Sequence, residues 1–208
     1  MVTAYGTDKI NGMLRFSAIS LALAALAISG FAAFTTKGLG QPNAPVTIEL
    51  FSDYQCPSCK NLHDQTVNQL ITDYVHKGKI YLVHREFPLP QHQYARIAAA
   101  YASAAYRIGK YEQVGNALFE RQASWTATGK VDEAATSVLT PAEARKVRDL
   151  AKQPAIEEEI NYEVGLGRNA DVNQTPTMII IHKGKKYPIK SMVTYTVLKQ
   201  FVDDLLKK

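Results

Sequence analysis

The chain holds only two cysteines, and they lie three residues apart in Cys56-Pro57-Ser58-Cys59. No disulfide framework can be built from such a pair, so a hydrophobic core has to hold the fold. The 208 residues, 46% hydrophobic and 21% charged, suffice for one sizeable domain. Both sulfurs are then available for reactivity or metal binding.

The segments around the pair set its context. Val46 to Ser52 (VTIELFS) is β-branched and aromatic between turn residues, which predicts a strand. Beyond Pro57, the residues Val67, Leu70, Ile71 and Tyr74 recur at helical spacing as far as Gly78, a C-cap glycine. Lys79 to Phe87 (KIYLVHREF) reads as a second strand, stopped by Pro88 and Pro90. From His92 to Asn169 the chain is rich in alanine, with no strand pattern, and predicts four or five helices. One opens at the capping box of Thr140-Pro141-Ala142-Glu143. Another follows Pro154, with Glu157, Glu158 and Glu159 near its positive end. Thr177 to His182 reads as a buried strand, Lys186 to Lys190 as its hairpin partner and Tyr195 to Leu206 as a closing helix. That order implies an α/β fold, with helices on a mixed sheet.

Residues 1–40 read as an address plus linker. Phe16 to Phe34 carries no charge, with Lys9 and Arg15 before it and Lys37 after it. A positive flank followed by an apolar run is an export pattern, and the run approaches the ~20 residues that cross a bilayer. Two outcomes stay open: cleavage near Gly30-Phe31-Ala32, or retention as an inner-membrane tether with the N-terminus inside. Either places the cysteines in a periplasmic or otherwise extracytoplasmic setting. Thr35 to Pro45, with Gly38, Gly40, Pro42 and Pro45, reads as a linker to a domain at 41–208. Of the net charge of +5, two units precede Gln41 and the rest is scattered, with no basic stripe interleaved with aromatics. Nucleic acid is therefore not an expected partner.

Cys56 falls between a strand end and a helix start, with Pro57 at the first helical position. Free backbone N–H groups and the positive helix end favour a thiolate there, below the ordinary pKa of ~8.5. Cys59, one turn on, can reach back to Cys56. The exposed sulfur would attack a substrate and the second would resolve the mixed disulfide. The rival reading takes Cys56, Cys59 and His63 as part of a metal site, but structural zinc takes four protein ligands and no third cysteine exists. No metal is expected, and His63 reads as a polar position near the helix surface. Thr175-Pro176 stands just before the Thr177 strand, where a cis bond is expected and would leave backbone groups open to an extended client. His84, His92 and Trp125 read as strand, turn and helix-packing residues.

The segments FSDYQCPSCKNLH (Phe51 to His63), REFPLP (Arg85 to Pro90) and QTPTMII (Gln174 to Ile180), with the helical block between the last two, resemble DsbA-like thiol–disulfide oxidoreductases. The likeness runs from about Pro42 to Lys208. It implies a thioredoxin-like mixed sheet with an inserted α-helical subdomain at about 91–170. It further implies Cys56 as nucleophile, Cys59 as resolving thiol, Pro57 and Ser58 as tuners of redox potential, and Thr175 with Pro176 as the client-facing loop. The activity implied is oxidation of cysteine pairs in exported proteins, without an organic cofactor. Reoxidation would come from a quinone-linked membrane partner of the DsbB or vitamin K epoxide reductase type. A monomer is expected, since isomerases of this superfamily dimerise through a segment that this chain lacks. A reductase or isomerase on the same scaffold is the alternative, and a Cys/His metallochaperone is the alternative of another class. Two departures stand out. The family's acidic residue before the first-strand Phe is Leu50 here, and the adjacent Glu49 points to the opposite face of a strand. Gln174 replaces the family's glycine before Thr-Pro.

Overall fold

A sheet of five strands carries the molecule, and the sequence explains most of it. The computed structural model describes Met1 and residues 36–207, so the apolar Phe16 to Phe34 segment lies outside the described residues. Among those residues no helix is long and apolar enough to cross a membrane. The strands are β1 (Lys37–Leu39), β2 (Val46–Ser52), β3 (Ile80–Glu86), β4 (Thr177–His182) and β5 (Lys185–Ile189). Their order is β1-β3-β2-β4-β5, with β2 and β3 parallel and the other pairings antiparallel. This is the mixed sheet that the sequence implies.

One helical run connects β2 to β3. It begins as α1 (Pro57–Leu62), passes through a π-helical stretch at His63–Val67 and a turn of α2 (Asn68–Leu70), and ends in a second π stretch at Ile71–Val75. Gly78 closes it with φ +68, while the Lys79 N–H bonds back to the Tyr74 carbonyl. This is the left-handed C-terminal glycine of a helix. Between β3 and β4 stand six helices rather than four or five: α3 (Ala95–Tyr106), α4 (Tyr111–Glu120), α5 (Gln122–Thr128), α6 (Val131–Thr136), α7 (Pro141–Ala151) and α8 (Pro154–Asn169). The extra boundary is between α4 and α5, where only Arg121 intervenes and no proline or glycine marks the break. The capping box at Thr140 and Glu143 forms as the sequence implies. Helix α9 (Tyr195–Leu206) ends the chain.

Alternation along β2 sends Val46, Ile48 and Leu50 to a core shared with Leu62, Leu70, Leu198 and Val202. Phe51 goes to the opposite core, with Phe87, Ile156, Ile160 and Ile179. Helix α8 lies so close there that a Cβ on Gly167 would come 2.6 Å from the Phe87 ring. A third cluster fills the helical insertion and includes Tyr54, Cys56 and Cys59. The two cysteines thus lie at the seam between sheet domain and insertion.

The linker expectation for Thr35 to Pro45 needs correction. Lys37 begins edge strand β1, and its side chain is 0% exposed, held by Glu159 at 2.9 Å and Glu163 at 2.6 Å. Those partners lie more than a hundred residues away and a buried lysine is costly unless paired, so local composition could not show the strand. The β3 strand is trimmed by one residue at each end, and β5 begins one residue early, at Lys185.

Candidate active site

Strand β2 ends at Ser52, and the chain turns through Asp53, Tyr54 and Gln55 to place Cys56 as the N-cap of α1. Asp53 builds this turn. One of its buried carboxylate oxygens accepts from the Gln55 N–H at 2.7 Å, and the other from the Leu89 N–H at 2.8 Å, with His92 Nδ1 also 2.8 Å away. The two loops at the carboxyl ends of β2 and β3 are tied together as a result. Gln122, at the start of α5, reaches in from the insertion. It donates to the carbonyls of Tyr54 at 2.6 Å and Cys56 at 3.0 Å.

Both cysteines are reduced, and their environments differ. Cys56 is 7% exposed and Cys59 2%. The Cys56 thiol is brought down from 9.0 to about 5, chiefly by a hydrogen bond from the Cys59 thiol; burial opposes this, while Thr175 and the N–H groups of Cys59 and Ser58 add to it. These are the helix-start contacts that the position of Pro57 implies. The Thr175 carbonyl lies 3.5 Å from Cys56 Sγ. Cys59 moves the opposite way. Burial, then the hydrogen bond and charge of Cys56, push its thiol well above 9.0, against the Asp53 N–H and a Ser52 hydrogen bond. Two thiols with pKa values driven apart suit one nucleophile and one reserve.

The structure therefore brings Cys56, Cys59 and Thr175 together across the sequence. The Thr175–Pro176 peptide bond is cis. Pro57 and Ser58 are exposed on the first turn of α1, so they border the sulfurs without covering them. Gln174 spans to β5's far end, its amide donating to the Lys190 carbonyl. Glu49 is a second-face carboxylate, bound to Arg85 at 2.6 Å. His63 departs from a free surface position: its ring packs on Phe119 at 4.8 Å, and burial lowers its pKa. Among the described residues no group of three or more His, Cys, Asp or Glu side chains could hold a metal ion.

A thioredoxin family model matches residues 33–204. The chain belongs to the thioredoxin family. Disulfide bond formation protein D of Bacillus subtilis (strain 168) is 24% identical over 177 residues, 81% of this chain and 76% of the relative. The structure of Wolbachia pipientis alpha-DsbA1 overlays with a TM-score of 0.69 at 19% identity, covering 82% of this chain and 90% of that one. BdbD from Bacillus subtilis gives 0.69 at 23%, covering 83% and 94%. A thioredoxin-like oxidoreductase from Silicibacter pomeroyi DSS-3 gives 0.68 at 26%, covering 83% and 93%. The chain thus shares its fold with the DsbA1 and BdbD structures and carries the Cys56–Cys59 pair at a helix start of that fold.

Three parts of this thioredoxin-family site escape a reading of the sequence. Asp53 and Gln122 act on backbone groups, which leave no mark in residue spacing. Behind Cys59 lies a cavity of about 220 Å³ whose polar wall includes Ser52, His84, Glu86 and Tyr111. One signal for its wall was available: along β3, His84 and Glu86 continue the inward alternation of Ile80 and Leu82, which places polar groups on a core face.

Proposed function

We propose that the protein is a dithiol oxidase for cysteine-containing client proteins outside the cytoplasm. The observation carrying this reading is Cys56 at the N-cap of α1, where the Cys59 thiol and the N–H groups of Ser58 and Cys59 meet its sulfur and bring its pKa down to about 5. A stabilised thiolate stabilises the reduced enzyme, and an enzyme whose reduced form is stable is an oxidant. In the forward step a client thiolate attacks Cys56 Sγ of the enzyme disulfide, and the Cys56–Cys59 bond breaks with its electron pair on Cys59. A second client thiolate then attacks the client sulfur of the mixed disulfide and Cys56 leaves as thiolate. The client has lost two electrons and the enzyme has gained them. Thr175 and Pro176 border the sulfur at which a client would sit, and Pro57 and Ser58 shape the first turn that sets the potential.

Reoxidation by a quinone-linked membrane protein, monomeric action, and export through residues 16–34, as signal or tether, complete the proposal. The periplasmic assignment of one thioredoxin-like neighbour, from Salmonella enterica serovar Typhimurium, is in line with this setting. The deciding experiment is equilibration of the Cys56–Cys59 pair with glutathione buffers. A potential well above thioredoxin's (about −270 mV) is expected, with oxidation of a reduced client faster than reduction of insulin. A thioredoxin-like potential would refute the oxidase reading and leave the reductase in its place.

A further inference from the structure

Thiol–disulfide exchange makes an unusual demand on Cys59. As a leaving group it emerges as a thiolate in a place where burial strongly favours the thiol; as the attacking group it must first lose that proton. Leu50, which lines the same cavity from β2, has no proton to give. Asp53 is turned away and committed to Leu89, Gln55 and His92. The fold nonetheless brings one buried carboxyl group to the cavity behind this sulfur, from the neighbouring strand, while the other carboxyl of the lining, Glu112, is exposed.

Ser52 hydrogen-bonds the Cys59 sulfur, and Ser52 is the register partner of Glu86 on the parallel strand β3. Both residues open onto the same cavity as Cys59. Glu86 is 2% exposed, and its Oε1 accepts from the Tyr111 hydroxyl at 3.0 Å. At about 220 Å³, the cavity is roomy enough for bridging water molecules, each of which needs only ~10–15 Å³ by such a measure and a few polar partners. We propose that Glu86 is the positioning residue that hands a proton to Cys59 and takes it back, through Ser52 and the cavity, during thiol–disulfide exchange.

The balance runs as follows. When a thiolate attacks Cys56 of the disulfide, the Cys56–Cys59 bond breaks and Cys59 takes both electrons; the Glu86 carboxyl then supplies its proton and is left as a carboxylate. In the resolving direction the Glu86 carboxylate removes the Cys59 proton, Cys59 attacks Cys56 Sγ of a mixed disulfide, and the partner thiolate departs. Glu86 exchanges its proton with solvent between cycles.

The groups around Glu86 fit it for this work. Burial raises it to about 8, opposed by Lys37 from β1 and by the Tyr111 bond, and assisted by Glu163 and Glu159 from α8. The remaining titratable groups of the wall are poorer choices. Burial holds His84 down at about 3, with His63 and Lys37 adding to the effect. Burial and the Glu86 charge hold both Tyr54 and Tyr111 well above 10.0. A donor and acceptor between those extremes is the one matched to near-neutral pH.

The inference rests on the exchange chemistry of Cys56 and Cys59, and the test separates the two. The reduced full chain is mixed with dithiobis(nitrobenzoic acid) and the release of coloured thiolate is followed by stopped flow. The first phase is attack by Cys56 and the second is resolution by Cys59. From about pH 6 to about pH 9 the second phase should rise and level off near the Glu86 value of about 8. In Glu86→Gln it should slow on the order of 10- to 100-fold at neutral pH and rise without levelling, while the first phase is unchanged and Glu86→Asp recovers part of the rate. An unaltered second-phase profile in Glu86→Gln would overturn the proposal. So would a wild-type profile without a break near that pH, an arm that needs no variant to fold. Loss of the first phase in the wild type would instead overturn the exchange chemistry itself, and this inference with it.

Discussion

If the contacts around Cys56 hold its thiolate as the structure indicates, the dithiol protein should carry a stability contribution that vanishes in acid. The perturbation is Cys56→Ser, which keeps size and removes the ionisation. The thiol titrates near 9.0 when unfolded and about 5 when native, so two pH units of that difference are realised at pH 7. At 1.36 kcal/mol per unit this amounts to about 2.7 kcal/mol. Cys56 keeps a little exposure and solvent screens part of the effect, so about 1–3 kcal/mol is expected. A group with a depressed native pKa stabilises fully above its unfolded pKa and loses that contribution as pH falls through the native value. The loss here therefore begins near pH 9 and is complete just below pH 5, and the window from pH 7 to 4 captures its lower half. Cys59 does not interfere, since its thiol is pushed upward and stays protonated throughout. The assay is guanidinium unfolding of wild type and Cys56→Ser under a strong phosphine reductant, at a series of pH values in that window. The wild-type advantage at pH 7 should shrink to near zero at pH 4, other titrations cancelling in the difference. Expressed as potential, the same energy is about 20–60 mV. A difference that stays constant with pH would refute the thiolate argument and remove the main support for an oxidising enzyme.

Two further outcomes concern the scaffold. Lys37→Met should lower stability by up to about 3–5 kcal/mol in thermal or denaturant unfolding, because Glu159 and Glu163 would lose the buried cation between them and keep only Arg107 and Arg85. Gln122→Ala should cost about 1–3 kcal/mol, because the Tyr54 carbonyl loses its side-chain donor while the Cys56 carbonyl keeps the Cys59 and Lys60 N–H groups, and should also change the alkylation rate of Cys56 at neutral pH, read with iodoacetamide.

The parts of this molecule that could be read from the sequence are those whose causes are local. The strand limits Val46–Ser52 and Thr177–His182 and the helix Tyr195–Leu206 follow from β-branched runs, turn residues and helical spacing, and the structure places them at those residues. The position of Cys56 before Pro57 pointed to a helix-start thiol, and alternation along β2 correctly sent Glu49 away from the cysteines. What stayed hidden depends on partners far along the chain. A lysine in a glycine-rich stretch gives no hint of the two glutamates that bury it. Nor does the sequence show that the space behind Cys59 is closed by Tyr111 from one helix and Glu86 from another strand. His63 looked like a surface residue because its neighbours Asp64 and Lys60 are polar, whereas Phe119 of α4 covers its ring.

The way the insertion grips the redox centre has a consequence for how such proteins can be altered. Gln122 holds carbonyls of Tyr54 and Cys56, Asp53 holds amides of Gln55 and Leu89, and Gln55 accepts from the amide of Tyr94. Every one of these bonds ends on main chain. The side chains at Leu89 and Tyr94 can therefore change without breaking the joint, and so can the length of helices such as α6 and α7 that lie beyond it. The insertion is mounted like an interchangeable part on a fixed socket, so the client-facing surface can be redrawn while the sulfurs keep their place.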